Sequence, residues 1–97
     1  MNKPRITKSE RLILSRLVHQ ENIETLKSET GLQFGEIRDD LTNLLSGRMI
    51  DVFEDTEKGR VPTTFYDLDN LGDYYFRATK RGQTVLNTPT EPEWNSK

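Results

Sequence analysis

The sequence predicts an α+β fold: three helices, then a β-rich stretch, then one short closing helix. Three observations predict it. Apolar residues recur at helical spacing in three segments before Gly47. Two of those segments end at a glycine, Gly31 and Gly47, where helices commonly stop. After Gly47 the pattern turns to β-branched and aromatic residues separated by turn signals.

The first helix is expected from about Lys8 to Gln20. Thr7-Lys8-Ser9-Glu10 has the form of a capping box, in which the Thr7 hydroxyl and the Glu10 carboxylate satisfy each other's backbone amides. Ile13, Leu14, Leu17 and Val18 share one face and are the expected core, while Leu12 lies nearly opposite. Asn22 is a good N-cap for a second helix, Ile23 to about Thr30, with Leu26 facing in and Gly31 closing it. A third helix is expected from Gln33 to about Ser46. Its residues Phe34, Ile37, Leu41, Leu44 and Leu45 fall in one amphipathic stripe. Two helices joined at a glycine turn and braced by a first helix form a helix-turn-helix arrangement.

Met49 to Glu54 reads as a strand, and Asp55 to Arg60, which holds Gly59, as a charged hairpin loop. Val61 to Leu68 offers a second strand, with Pro62 marking an edge or loop position. Asp69 to Asp73 is a turn signal, Tyr74 to Ala78 a third strand, and Thr79 a cap for a last helix from Lys80 to Asn87. Residues 1–7 are expected to be a flexible leader, 8–87 one domain, and 88–97 a proline-broken mobile tail.

Composition narrows the function classes. The 97 residues suffice for one domain, and they contain no cysteine and a single histidine. Disulfides and thiolate nucleophiles are thereby excluded, and neither a metal site nor a cofactor is expected. With no apolar run of membrane-spanning length and no apolar signal core, a soluble cytoplasmic protein away from membranes is expected. No paired carboxylates, nucleophile–histidine arrangement or phosphate-binding glycine loop points to an enzyme. The balance is acidic, 14 Lys+Arg against 16 Asp+Glu, which is unlike most DNA-binding domains.

Three segments together carry a resemblance. Leu26, Thr30-Gly31-Leu32, Ile37, Leu41, Leu44-Leu45 and Gly47-Arg48-Met49-Ile50 keep the order and spacing of the helix-turn-helix in MarR-like and related small prokaryotic winged helix regulators. Gly59-Arg60-Val61-Pro62-Thr63-Thr64-Phe65-Tyr66 is similar to their wing. Phe76-Arg77-Ala78-Thr79-Lys80-Arg81-Gly82 resembles their exit from the wing into a final helix. Tyr66 to Gly72 echoes that exit, and the second copy is the expected one because Thr79 caps better; the wing is then long, with three strands. The resemblance covers residues 8–87 and implies a winged helix-turn-helix: a three-helix bundle with a β-wing and a short C-terminal helix.

That resemblance implies a transcriptional regulator that binds double-stranded DNA, acting as a homodimer on a palindromic site. The candidate DNA-binding residues are Gln33, Gly35, Arg38, Thr42 and Asn43 on the third helix, Arg48 after it, and Lys58 and Arg60 at the wing tip. Asn43 suits an adenine edge and Arg38 a guanine or a phosphate. Lys27, Arg48, Lys80 and Arg81 form a candidate phosphate-contacting rim. Taken singly, each of these cations is also an ordinary solvated charge. The sequence departs from the family at Asp39 and Asn43, where related regulators often carry a basic residue, and Glu36 adds a further acid. The alternative is therefore a protein–protein interaction module whose acidic third helix docks a basic partner. The aromatics Phe65, Tyr66, Tyr74, Tyr75 and Phe76 are expected to pack over the helices or in a dimer rather than stack on bases. His19 is expected to sit at the end of the first helix as a partner for its C-terminus.

Overall fold

The computed structural model describes residues 6–87, so the expected leader and tail lie almost wholly outside the described residues. The chain is an α+β fold with the order α1 (Lys8–Ser15), α2 (Ile23–Thr30), α3 (Phe34–Ser46), β1 (Ile50–Thr56), β2 (Gly59–Thr63), a 3-10 helix (Leu68–Asp73), β3 (Tyr75–Ala78) and α4 (Lys80–Asn87). The strands form one antiparallel sheet in the order β2-β1-β3.

Local chemistry sets most helix ends. The Thr7 hydroxyl accepts from the Glu10 amide at 3.1 Å, and the Glu10 carboxylate accepts from the Thr7 amide at 2.9 Å, completing the capping box. Asn22 caps α2 through its side-chain oxygen, and Gly31 closes it with φ +77°. Gly31-Leu32-Gln33 then turn the chain into α3.

α1 is shorter than the helical pattern suggests. It ends at Ser15 rather than Gln20, because the following residues pair with β3. The Leu17 carbonyl accepts from the Ala78 amide at 2.9 Å, and Glu21 and Phe76 exchange both backbone bonds at 2.9 and 3.0 Å. Three such long-range bonds displace the last helical turn. Leu17 stays in the core, but Val18 is 59% exposed, and His19 is exposed and lies beyond the helix end.

One apolar cluster joins the layers. Ile13, Leu14 and Leu17, then Ile23 and Leu26, then Ile37, Leu41 and Leu44 meet Ile50, Val52, Phe76 and Ala78 from the inner face of the sheet. Phe34, expected in this stripe, is 45% exposed at the first turn of α3, where the helix overhangs the core. Leu45 is half-buried against the cluster.

The sheet differs from expectation at both ends of β2. β1 and β2 continue through the expected charged loop and leave a two-residue turn, Glu57-Lys58. β2 ends at Thr63 rather than Leu68, because the Thr63 hydroxyl accepts from the Phe65 amide at 3.0 Å and turns the backbone. Asp67 then caps the 3-10 helix, accepting from the Asp69 amide at 2.9 Å, and Leu71 from that helix fills the core. Pro62 lies on the outer strand, where a missing N–H costs least. α4 closes the fold. Thr79 caps it by accepting from the Gly82 amide at 3.0 Å, and Arg11 donates to the Leu86 carbonyl at 2.8 Å.

Candidate nucleic-acid interface

α3 buries Ile37, Asp40, Leu41 and Leu44, which leaves Gly35, Glu36, Arg38, Asp39, Asn43 and Ser46 exposed around the opposite side. Gln33 is exposed at the N-cap, and its amide donates to the Glu36 carboxylate at 2.9 Å, so Glu36 stabilises its own helix start. Around Gly35 the space is open, with no heavy atom within 4 Å of where a Cβ would stand. Thr42 is half-buried and donates its hydroxyl to the Arg38 carbonyl at 2.9 Å.

Two of the expected contact residues are already engaged. Asn43 Nδ2 donates to Glu10 Oε2 at 3.0 Å, tying α3 to α1. Arg60 Nε donates to Asp55 Oδ1 at 3.1 Å, and its guanidinium stands 3.5 Å from the centroid of the Tyr75 ring. The register explains the second case. Arg60 lies opposite Asp55, and Tyr75 opposite Phe53, so all four share the outer face of the sheet. Phe53, 5% exposed, lies beneath Arg77 on that same face, 5.3 Å from ring centroid to guanidinium carbon.

Lys58 is exposed in the hairpin turn, where its amide donates to the Thr56 hydroxyl at 3.1 Å. Arg48 is exposed just beyond α3 and is held at φ +59°, a left-handed conformation that an arginine adopts at some cost. Between α3 and the sheet runs a groove of about 370 Å³, lined among others by Leu45, Arg48, Val52, Thr63, Tyr66 and Thr79. α3 and the base of the hairpin therefore border one concavity. Of the aromatics, Phe76 is fully buried and Tyr66 and Tyr74 pack against the core, but Phe65 is 89% exposed. It stands in the bend that follows β2, not on a strand.

Beneath the exposed face lies a pair of buried acids that charge patterning does not reveal. Glu10 is satisfied by Thr7 and Asn43, but Asp40 Oδ2 has no hydrogen-bond partner among the described residues. Burial pushes the Asp40 pKa above its ordinary 3.8; a hydrogen bond from Ser9 opposes the shift, while the carboxylates of Glu10, Glu36 and Asp39 add to it. The sequence holds a signal for this residue, since Asp40 stands three residues after Ile37 and four before Leu44, on the inward stripe. The Arg60–Tyr75 contact has no such local signal, because it depends on how β2 and β3 flank β1.

Among the described residues no group of three His, Cys, Asp or Glu is placed to hold a metal, and no helix is long and apolar enough to cross a membrane. Comparisons of the chain with protein-family models, with curated proteins and with solved structures give no match.

Proposed function

We propose that this chain is a winged helix domain that binds duplex DNA as a transcriptional regulator. One arrangement carries the reading: α2 and α3 are joined by three residues, and α3 presents an uncovered polar side while sharing a groove with the β1–β2 hairpin. A helix pair of this kind places its second helix in the major groove, with the hairpin as the wing beside it. Gln33, Gly35, Arg38 and Thr42 are then the groove-facing set, with Lys58 at the wing tip. Asn43 and Arg60 act indirectly, the first by fixing α3 on α1 and the second by stiffening the wing.

A single module of this size buries only roughly 600–1,000 Å² of its own surface on DNA, so a homodimer on a palindromic site is the proposed working form. A band-shift assay at low salt, with genomic fragments and random duplex side by side, tests the proposal. Retardation of both, tighter for some genomic fragments, is expected; failure of every duplex to shift overturns it.

One observation favours a second reading, a protein-docking module. Residues 64–74 contain three aspartates and no cation, and Phe65 projects from them 89% exposed. Together with Glu36 and Asp39, that surface suits a basic partner with an apolar anchor. If Arg38→Ala, Lys58→Ala and Arg60→Ala leave DNA affinity unchanged, α3 and the wing are not the DNA contact and this reading of their surface gains.

A further inference from the structure

We propose that the corner where the end of α3 meets the start of α4 grips the phosphodiester backbone of duplex DNA through Arg48, Lys80 and Arg81. The inference rests on the DNA-binding reading and adds a second contact surface to it, beyond the polar side of α3 and the wing tip.

Charge segregation is the first ground. Residues 41–50 and 78–87 contain these three cations and no anion, in a chain whose formal net charge is -2. The fold is the second, because it brings the two stretches together. The Thr79 amide donates to the Met49 carbonyl, the Thr79 hydroxyl to the Arg48 carbonyl and Arg81 Nε to the Gly47 carbonyl, each at 2.9 Å. All three cations are exposed. The bond from Arg81 uses one of its five donors, which orients the guanidinium and leaves the others for an anion. Asp51, the next acid along the chain, stands opposite Arg77 in the β1–β3 register and lines the groove beside Arg48, so the anion-free surface is bounded there.

Three exposed cations with no anion among them fit a repeating phosphate chain, and the acidic side of α3 does not. The corner also adjoins the groove through Arg48 and Thr79, so a duplex seated along α3 would reach it without leaving the protein surface.

Fluorescence anisotropy of a labelled random-sequence duplex, titrated across a range of salt, tests the proposal on the full chain. The variants are Arg48→Gly, Lys80→Ala and the two combined. Each single variant is expected to weaken binding equally for every sequence and to flatten the log–log salt dependence by about 0.9, the double by about twice that. Glycine suits the left-handed backbone at position 48, so Arg48→Gly should melt at or above the native temperature, separating lost contact from lost fold. A double variant with the native salt slope overturns the inference and leaves the DNA-binding reading intact. A native chain that binds no duplex overturns both.

Discussion

Asn43 occupies a position on α3 from which an amide could read a base, yet one of its two amide hydrogens is held by Glu10, which fixes how the side chain is turned. The partners of a side chain, more than its place on a helical wheel, decide what it can offer a ligand. The glycines divide by the same test. Gly82 in α4 is buried, and a Cβ there would run into the Met49 carbonyl, whereas Gly35 on α3 has open space. Gly82→Ala is therefore expected to destabilise by about 1–3 kcal/mol, while Gly35→Ala should stabilise by roughly 0.5–1 kcal/mol through helix propensity. Urea unfolding midpoints at constant slope check the pair. Asp40 adds a pH dependence. Because burial raises its pKa, the folded chain binds this proton more tightly than the unfolded chain does. The stability it contributes is thus present at low pH and is lost as pH rises from the ordinary 3.8 through the raised value. Asp40→Asn carries no charge to desolvate, so its advantage over the native chain should grow from pH 4 to pH 7. An advantage that stays constant over that range contradicts this account.

Helices and strands were legible in the sequence wherever short-range chemistry sets them. The capping box at Thr7, the Asn22 cap, the left-handed Gly31 and the Thr79 cap all act within three or four residues, and each stands where the sequence places it. Loss of the cap in Asn22→Ala is expected to cost about 1 kcal/mol, read as a lower thermal midpoint, with α2 fraying first in amide exchange. Of the elements that differ from the sequence reading, α1 is settled by distant partners and β2 by a local side-chain bond. α1 gives up its last turn to backbone bonds with Phe76 and Ala78, more than fifty residues on, and exposes Val18. β2 stops at Thr63 because its own hydroxyl turns the chain, a competition that alternating hydropathy does not register. The candidate site divides in the same way. The exposure of Arg38, Gly35 and Lys58 follows from helical and hairpin periodicity, while the engagement of Asn43 and Arg60 depends on packing between elements. The echo of the wing exit at Tyr66–Gly72 is not structural: Asp67 caps the 3-10 helix, whereas the residue that corresponds to the Thr79 cap of α4 in that echo is Asp69.

At the scale of the whole molecule, opposite charges occupy different regions of one small fold. The segment from Thr64 to Tyr74 and the outward side of α3 carry acids, and the corner of Arg48, Lys80 and Arg81 carries cations. On the proposed DNA-binding reading, a duplex approaching α3 meets both fields. Across a separation of about 10 Å, the screening length near 0.1 M salt, the acids oppose the encounter that the cations favour. Removing acids that hold no structural bond isolates the unfavourable part. Asp39, Asp69 and Asp73 are exposed, and their side chains make no hydrogen bond among those described, unlike Asp67, which caps the 3-10 helix. The triple variant Asp39→Asn, Asp69→Asn and Asp73→Asn is therefore expected to keep the fold and to bind duplex DNA several-fold more tightly at low salt. The gain should come mainly through faster association and shrink as salt rises, because steering by exposed charge is screened. Stopped-flow association rates at two ionic strengths give the answer. An unchanged rate would mean that the acidic surfaces face away from the approaching duplex. A loss of binding with the fold intact would mean that the duplex uses those aspartates as acceptors, as carboxylates do with cytosine amino groups in the major groove.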